Sequence, residues 1–212
     1  FWNLYMVKSY YEFANSFNQE AKQLEVSPVL IKNLLKEGET LQRNLRIINT
    51  GEKIDVNINS NLNLVKIHEK SFSLEGTKTI PITLSAANTG IYTGKITVNW
   101  MDIPVIIEVE SDNVFIDSKL NILKTKINQG DDLAADITVF NLLDNVQKNA
   151  NIEYSIKDLN NAEIVSETEN IIVTTQNAFS KTFNTKNIQL GKYALSVITK
   201  YDNSIGTSSY LF

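Results

Sequence analysis

The sequence predicts a mainly β protein, with two tandem β-sandwiches preceded by one amphipathic α-helix. Three observations predict this. From Val26 onward, short runs alternate apolar and polar residues with a period of two, and turn residues separate them at sandwich-like intervals of roughly 8–12 positions. The order of turn, strand and terminal Asn in the first part of this region returns in the second. Residues 1–24 instead repeat in steps of three and four.

The helix comes first. Leu4, Val7, Tyr10, Ala14, Phe17, Ala21 and Leu24 form its heptad-like seam. Phe1, Trp2, Tyr5, Met6, Tyr11 and Phe13 widen the apolar surface at its start, while Asn15 to Lys22 is more polar. Three readings stay open: docking on a sandwich or on a second copy, an interfacial helix with Trp and Tyr at lipid headgroup level, and the end of a longer helix in a filament core. In each, membrane or oligomer contact falls to Phe1, Trp2, Tyr5, Val7, Tyr10 and Phe17. A processed type IV pilin also begins with Phe, but Tyr5 stands where a Glu is usual and the long apolar run is missing. Glu25 to Pro28 ends the helix, because the residue before a proline is driven toward extended conformations. The expected divisions are therefore 1–25 for the helix, 26–110 for the first sandwich and 111–212 for the second.

Strands of the first sandwich are expected at 26–33, 40–49, 53–59, 63–68, 71–75, 78–85, 90–100 and 103–110. Gly38-Glu39, Thr50-Gly51-Glu52, Gly76 and Asn88-Thr89-Gly90 supply the turns. The clearest signal is the last hairpin. Tyr92, Gly94, Ile96, Val98 and Trp100 share the face read as inward, and Val105, Ile107 and Val109 repeat the pattern on the return strand. About 85 residues suits one immunoglobulin-like domain, and Tyr92 stands where such folds place a corner tyrosine. In the second sandwich, strands are expected at 114–124, 133–142, 149–157, 162–174, 178–185, 191–201 and 205–212, with a hairpin turn at Asn160-Asn161. The repeat supports two domains of one kind. Gly38-Glu-Thr-Leu41 matches Gly130-Asp-Asp-Leu133, and Asn49 matches Asn141 at the same offset. Gly90-x-Tyr92 matches Gly191-x-Tyr193 at a larger offset, which puts extra residues in the 144–176 region of the second domain.

These residues resemble immunoglobulin-like modules of archaeal cell-surface and cell-envelope proteins. The first domain is similar through Gly90 to Val98 and Ile103 to Val109. The second is similar to adhesion-type modules through Gly130 to Asn141, Tyr154 to Asn160 and Gly191-Lys-Tyr193. The resemblance covers roughly residues 26–212 and leaves out the helix. It implies an extracellular, often membrane-anchored, non-catalytic module, and it transfers no binding residue.

Composition narrows the chemistry. With 42% hydrophobic and 21% charged residues the chain has the balance of a folded protein. A net charge of −4, with Lys and Arg scattered, gives no electrostatic footprint for nucleic acid. There is no Cys, hence no disulfide framework or thiolate chemistry. His68, the one histidine, builds neither a His-based metal site nor a triad and reads as a strand-end surface residue. No phosphate loop, nucleophile elbow or paired catalytic carboxylates occur. Glu108, Glu110, Asp112 and Asp117 flank the expected junction, where calcium would use such oxygen ligands; against it, Glu108 and Glu110 fall on the face read as outward and solvated. Asp131, Asp132 and Asp136 follow Gly130 without the spacing of a calcium loop. No cofactor is expected.

The function expected is a non-catalytic structural or adhesive cell-surface protein: a filament, surface-layer or membrane-anchored stalk component. The alternatives are a carbohydrate-binding module and an accessory domain of an extracellular enzyme. Partners would be proteins or further copies held through the helix, with membrane and glycans also open and nucleic acid not expected. The localisation expected is extracellular, at the cell surface or envelope. Phe1 in place of an initiator Met points to a removed leader or a longer parent chain, and the abrupt final Ser208–Phe212 strand points to a continuation.

Overall fold

The computed structural model describes residues 23–212, and the elements among them are fourteen β-strands. Phe1, Trp2, Tyr5, Val7, Tyr10 and Phe17 lie outside the described residues, as does most of the expected helix. Its last three positions, 23–25, are an exception. Leu24, counted on the helical seam, opens strand β1 (Leu24–Ser27) and is buried in the core.

Seven strands make the first half: β1, β2 (Ile31–Lys36), β3 (Thr40–Ser60), β4 (Val65–Ile67), β5 (Ser71–Ser85), β6 (Gly90–Val98) and β7 (Met101–Glu110). β1 and β2 correspond to the single strand expected at 26–33. Pro28 splits it, since proline cannot donate to a ladder. The two merged strands have a common cause. Thr50-Gly51-Glu52 and Gly76 read as reversals, but they form facing irregularities in one long pair, β3 with β5, where the register shifts between Asn49 and Ile54. Asn49 holds the bulge. Its Nδ2 donates to Glu52 O at 2.6 Å and Leu74 O at 2.9 Å, and its Oδ1 accepts from Gly51 N at 3.1 Å, so the side chain replaces lost ladder bonds. Past the bulge, the last three residues of β3 leave β5 and pair with β6. Thus β1-β3-β5-β4 forms one layer and β2-β7-β6 with the end of β3 the other, with β2 parallel to β7. Leu45, Ile47, Ile80, Ile82, Leu84, Ile96, Val98, Val105 and Ile107 fill the space between the layers. Each such side chain contributes roughly 1.5–3 kcal/mol on burial.

The second half contains β8 (Ile116–Ile122), β9 (Leu133–Asn141), β10 (Lys148–Asp158), β11 (Glu163–Val173), β12 (Gln176–Phe183), β13 (Tyr193–Tyr201) and β14 (Ser204–Leu211). Sheet β12-β9-β8 faces sheet β11-β10-β13-β14. Between them lie Ile116, Leu133, Ile137, Val139, Ile152, Tyr154, Ile156, Phe183, Leu195 and Val197. The extra residues of the 144–176 region form the long β10–β11 hairpin, whose turn places Asn161 at φ 63°. At the open edge, Lys181 Nζ of β12 lies 3.1 Å from Glu167 Oε2 and 3.6 Å from Glu169 Oε1 of β11. It also sits 4.6 Å above the Tyr154 ring. Tyr154 in turn donates to Glu169 Oε1 at 2.6 Å, and burial followed by that bond pushes its hydroxyl pKa far up. Inward-pointing Glu on β11 blunts an otherwise long edge strand.

The matched positions of the two halves do the same work. Glu39 Oε2 accepts from Lys36 N at 2.8 Å, and Asp131 Oδ2 accepts from Asn128 N at 3.3 Å. Asn141 repeats Asn49: Nδ2 donates to Val146 O and Thr174 O, and Oδ1 accepts from Leu143 N. Tyr92 donates to Asn88 O at 3.1 Å and Tyr193 to Gln189 O at 2.9 Å, each closing a corner four residues upstream. The glycine two residues before each Tyr is where the ring lies; a Cβ on Gly191 would come within 3.2 Å of it.

Candidate functional site at the junction of the two halves

The outer face of β6 and β7 is covered. Ile91 and Ile106 bury against Ala194, with Ile198 and Leu211 packed at the margin, so β7 is buried on both sides from Ile103 to Glu110. Cross-strand register explains how the second half approaches this closely. Ser166, Ser155, Ser196 and Ser209 lie opposite one another on β11, β10, β13 and β14, a row of small side chains across the outer face. Ser196 and Ser209 are sealed under β6 and β7, and their hydroxyls have no partner among the described residues.

This contact corrects the expected outward, solvated placement of Glu108 and Glu110. They are 6% and 5% exposed. Alternation along β7 put them opposite the core correctly, but that second face is an interface rather than a surface. Glu110 Oε2 lies 3.3 Å from Lys36 Nζ of β2. Its Oε1 accepts the Thr207 amide at 3.1 Å, so a first-half side chain completes the hydrogen bonding of β14. Glu108 Oε1 lies 3.1 Å from Lys32 Nζ, and the same ammonium donates to Ser209 O at 2.6 Å. Asp117, one strand further, accepts from Ser118 N. Burial raises its carboxyl pKa, and the charges of Glu110 and Glu108 push the same way, against the Ser118 bond and Lys36. Of the acidic set weighed for calcium, Glu108, Glu110 and Asp117 are thus engaged by lysines and amides, and Asp112 is exposed. Among the described residues, no group of three or more His, Asp or Glu side chains is placed to hold a metal ion.

Further polar bonds stitch the halves together. Ser111 N donates to Ile205 O, and Ile205 N to Ser111 Oγ at 2.8 Å. The β10–β11 turn reaches back to the first half. Thr93 Oγ1 donates to Asp158 O at 2.7 Å, Thr93 N to Asn161 Oδ1 at 3.1 Å, and Asn61 Nδ2 to Leu159 O at 2.6 Å. Lys157 Nζ donates to Ile91 O at 2.9 Å, and burial lowers its ammonium pKa, against the pull of Glu163.

Beside the contact, Thr89–Tyr92 forms one wall of a cleft of about 500 Å³. The outer face of β10 and β11 forms its floor, with Glu153, Ser155, Ser166 and Thr168 in adjacent register rows. Lys157, Glu163, Lys200, Ile198 and Ile205 also line it, together with Tyr154. Glu153 and Lys200 pair at 2.5 Å.

Two other sequence expectations meet the structure here. Trp100, assigned to the core by alternation, is 49% exposed. β6 stops at Val98, and Asn99-Trp100 is the two-residue loop that joins it to β7. Asn99 takes φ 53° there, and its amide bonds Asn57 N and Asp55 O, so the period-two count breaks one residue before the Trp. His68 is exposed just past β4, with Nε2 2.9 Å from Thr83 Oγ1, as its sequence position indicates. The junction lysines and Thr207 carried no sequence signal of their own. A buried face on β7, nearly unbroken in apolar residues from Ile103 to Ile107, was the signal available.

No protein-family model matches the chain, and no curated protein matches it in sequence. Solved structures match it at low identity and low TM-score. A protein of unknown function from Porphyromonas gingivalis W83 is 12% identical over 89% of this chain and 100% of its own, at a TM-score of 0.47. The adhesin InvE of Yersinia pseudotuberculosis is 14% identical over 89% of this chain and 58% of its own, at 0.29. A β-glucuronidase of Bacteroides uniformis is 10% identical over 82% of this chain and 26% of its own, at 0.35. The chain therefore spans little more than half of the adhesin and about a quarter of the enzyme. Likenesses this distant carry no argument about activity or partners.

Proposed function

We propose that the chain is a non-catalytic structural or adhesive module of a cell surface, presenting two immunoglobulin-like sandwiches as one rigid pair. The strand arrangements support the immunoglobulin-like reading: β1-β3-β5-β4 against β2-β7-β6-β3 in residues 26–110, and β12-β9-β8 against β11-β10-β13-β14 in 111–212, with a corner tyrosine in each. The observation that carries the functional reading is the junction. Linked domains that move independently meet through small, wet contacts. Here Glu108, Glu110, Thr93, Ser196, Thr207 and Ser209 are buried between the halves, and directional bonds fix them at several separated points. Such a pair holds whatever it displays in one orientation and passes load from one end of the chain to the other. The expected helix over 1–25, with Phe1, Trp2, Tyr5, Val7, Tyr10 and Phe17, supplies the anchoring or self-association arm of this reading.

Two measurements test it. Labelling intact source cells with an antibody to residues 23–212 should stain without permeabilisation; staining only after lysis sinks the surface assignment. Hydrogen exchange on the full chain should protect the Thr93 and Thr207 amides as strongly as the strand cores. Exchange of those two at the rate of exposed loops would show that the halves part readily.

A further inference from the structure

We propose that the cleft between Thr89–Tyr92 and the outer face of β10 and β11 binds a neutral saccharide. Its volume of about 500 Å³ falls within the ~300–1,000 Å³ of small-molecule sites, and it lies between two packed units, where such sites concentrate. The lining selects the chemistry. Thr89, Ser155, Ser166 and Thr168 present hydroxyls, each able to donate and accept, which is the pattern of a sugar's own hydroxyls. The charged groups are compensated: Glu153 against Lys200 at 2.5 Å, and Lys157, committed to the Ile91 carbonyl, beside Glu163. Two lysines and two glutamates leave the cleft without net charge, so an anion or a cation gains no field there. A hydroxyl ligand accepts from an ammonium and donates to a carboxylate without breaking either pair. Ile198 and Ile205 supply apolar surface for the C–H face of a pyranose.

The wall is held before any ligand arrives. Tyr92 is tied to Asn88 O, and Ile91 O is bonded by Lys157 of the floor. A preorganised cleft loses little freedom on binding. The site is also composite: its wall belongs to the first half and its floor to the second, so it exists only while the junction is closed.

The test uses the full chain on an array of neutral and acidic oligosaccharides, followed by amide-resolved NMR titration with the strongest neutral glycan. The variants Ser166→Arg and Thr168→Arg place a bulky cation on exposed floor positions, and their circular dichroism spectra report whether the fold survives. Asn177→Arg, on β12 of the other sheet, is the control. Expected are a neutral hit, shifts at Ser155, Ser166, Thr168 and Tyr92, and at least ten-fold weaker binding in both floor variants with none in the control. The proposal is overturned if no neutral glycan moves those amides, if only acidic glycans bind, or if folded floor variants bind as tightly as the parent.

Discussion

Glu110 is the most exacting test of the junction. Its Oε1 accepts the Thr207 amide at 3.1 Å inside the contact, and its Oε2 meets Lys36 at 3.3 Å. Glu110→Ala leaves a buried amide without that acceptor, which costs about 1–3 kcal/mol. The lost ion pair adds roughly 0–1 kcal/mol, because the Lys36 side chain is 42% exposed and retains its bond to Ser111 O. Removing a side-chain methylene adds ~0.8 kcal/mol. The total is about 2–5 kcal/mol. Glu110→Gln keeps an acceptor for the amide and gives up the charge, so it should cost about 1 kcal/mol or less. Urea unfolding of the full chain at neutral pH, followed by circular dichroism, measures both. An Ala variant within ~0.5 kcal/mol of the parent, the range of an ordinary surface change, refutes the bracing role. A Gln variant as damaging as Ala would show that charge, and not the hydrogen bond, matters.

Other consequences follow from neighbouring contacts. Asp117 has a raised folded pKa, so the folded state holds its proton more tightly than the unfolded chain does; that stability is full below the ordinary carboxylate range and is lost as pH rises through the raised value. Asp117→Asn should therefore be more stable than the parent at neutral pH, with the gain shrinking to nothing near about pH 4, as read from thermal midpoints across pH. Gly206→Ala puts a Cβ 2.7 Å from both the Ile116 carbonyl and Thr199 Oγ1; backbone cannot give way cheaply, and a loss of about 1–3 kcal/mol is expected in urea titration. Tyr92→Phe and Tyr193→Phe should each cost about 1 kcal/mol and add in the double variant, since each removes one corner hydrogen bond in a different half; no loss in either would place the corner's stability elsewhere. Deleting residues 1–22 should leave the strand spectrum and the urea midpoint unchanged. The cut stops at Gln23 because its carbonyl accepts from Thr50 Oγ1 and Leu24 is in the core.

Most strands were legible because one face of each is core, and a single buried face imprints a period of two. The turn glycines were legible as breaks but not as to kind. Gly76 at φ 80° and the Asn49 bulge interrupt β3 and β5 without reversing them, and only the partner strand decides between those outcomes. Trp100 failed for a related reason, since alternation carries no mark of the residue at which a strand ends. Glu108 and Glu110 failed at a different level. Their face was assigned correctly, but nothing local distinguishes a charged residue facing water from one facing Lys32, Lys36 and Thr207, which lie over 70 residues away along the chain. The cleft was illegible for the same reason: its wall and floor lie more than 60 residues apart along the chain and meet only where the two halves come together.

That packing also explains why so polar a contact is kept. The apolar part, Ile91 and Ile106 on Ala194, is a patch on two smooth sheets, and dispersion between smooth faces changes little if one slides or turns on the other. Directional bonds do change. Thr93 and Asn61 hold the β10–β11 turn, Lys157 holds the Ile91 carbonyl, and Glu110 with Ser111 holds Ile205 and Thr207 of β14. These anchors fall at two separated places in the second half, the end of β10 with its turn and strand β14, and a rotation or a slip that preserves one breaks the other. The sealed hydroxyls of Ser196 and Ser209, without a partner among the described residues, show that the contact is not built from apolar burial alone. What the arrangement secures is a single relative orientation, and a composite cleft with its wall on one half and its floor on the other requires that before it requires strength.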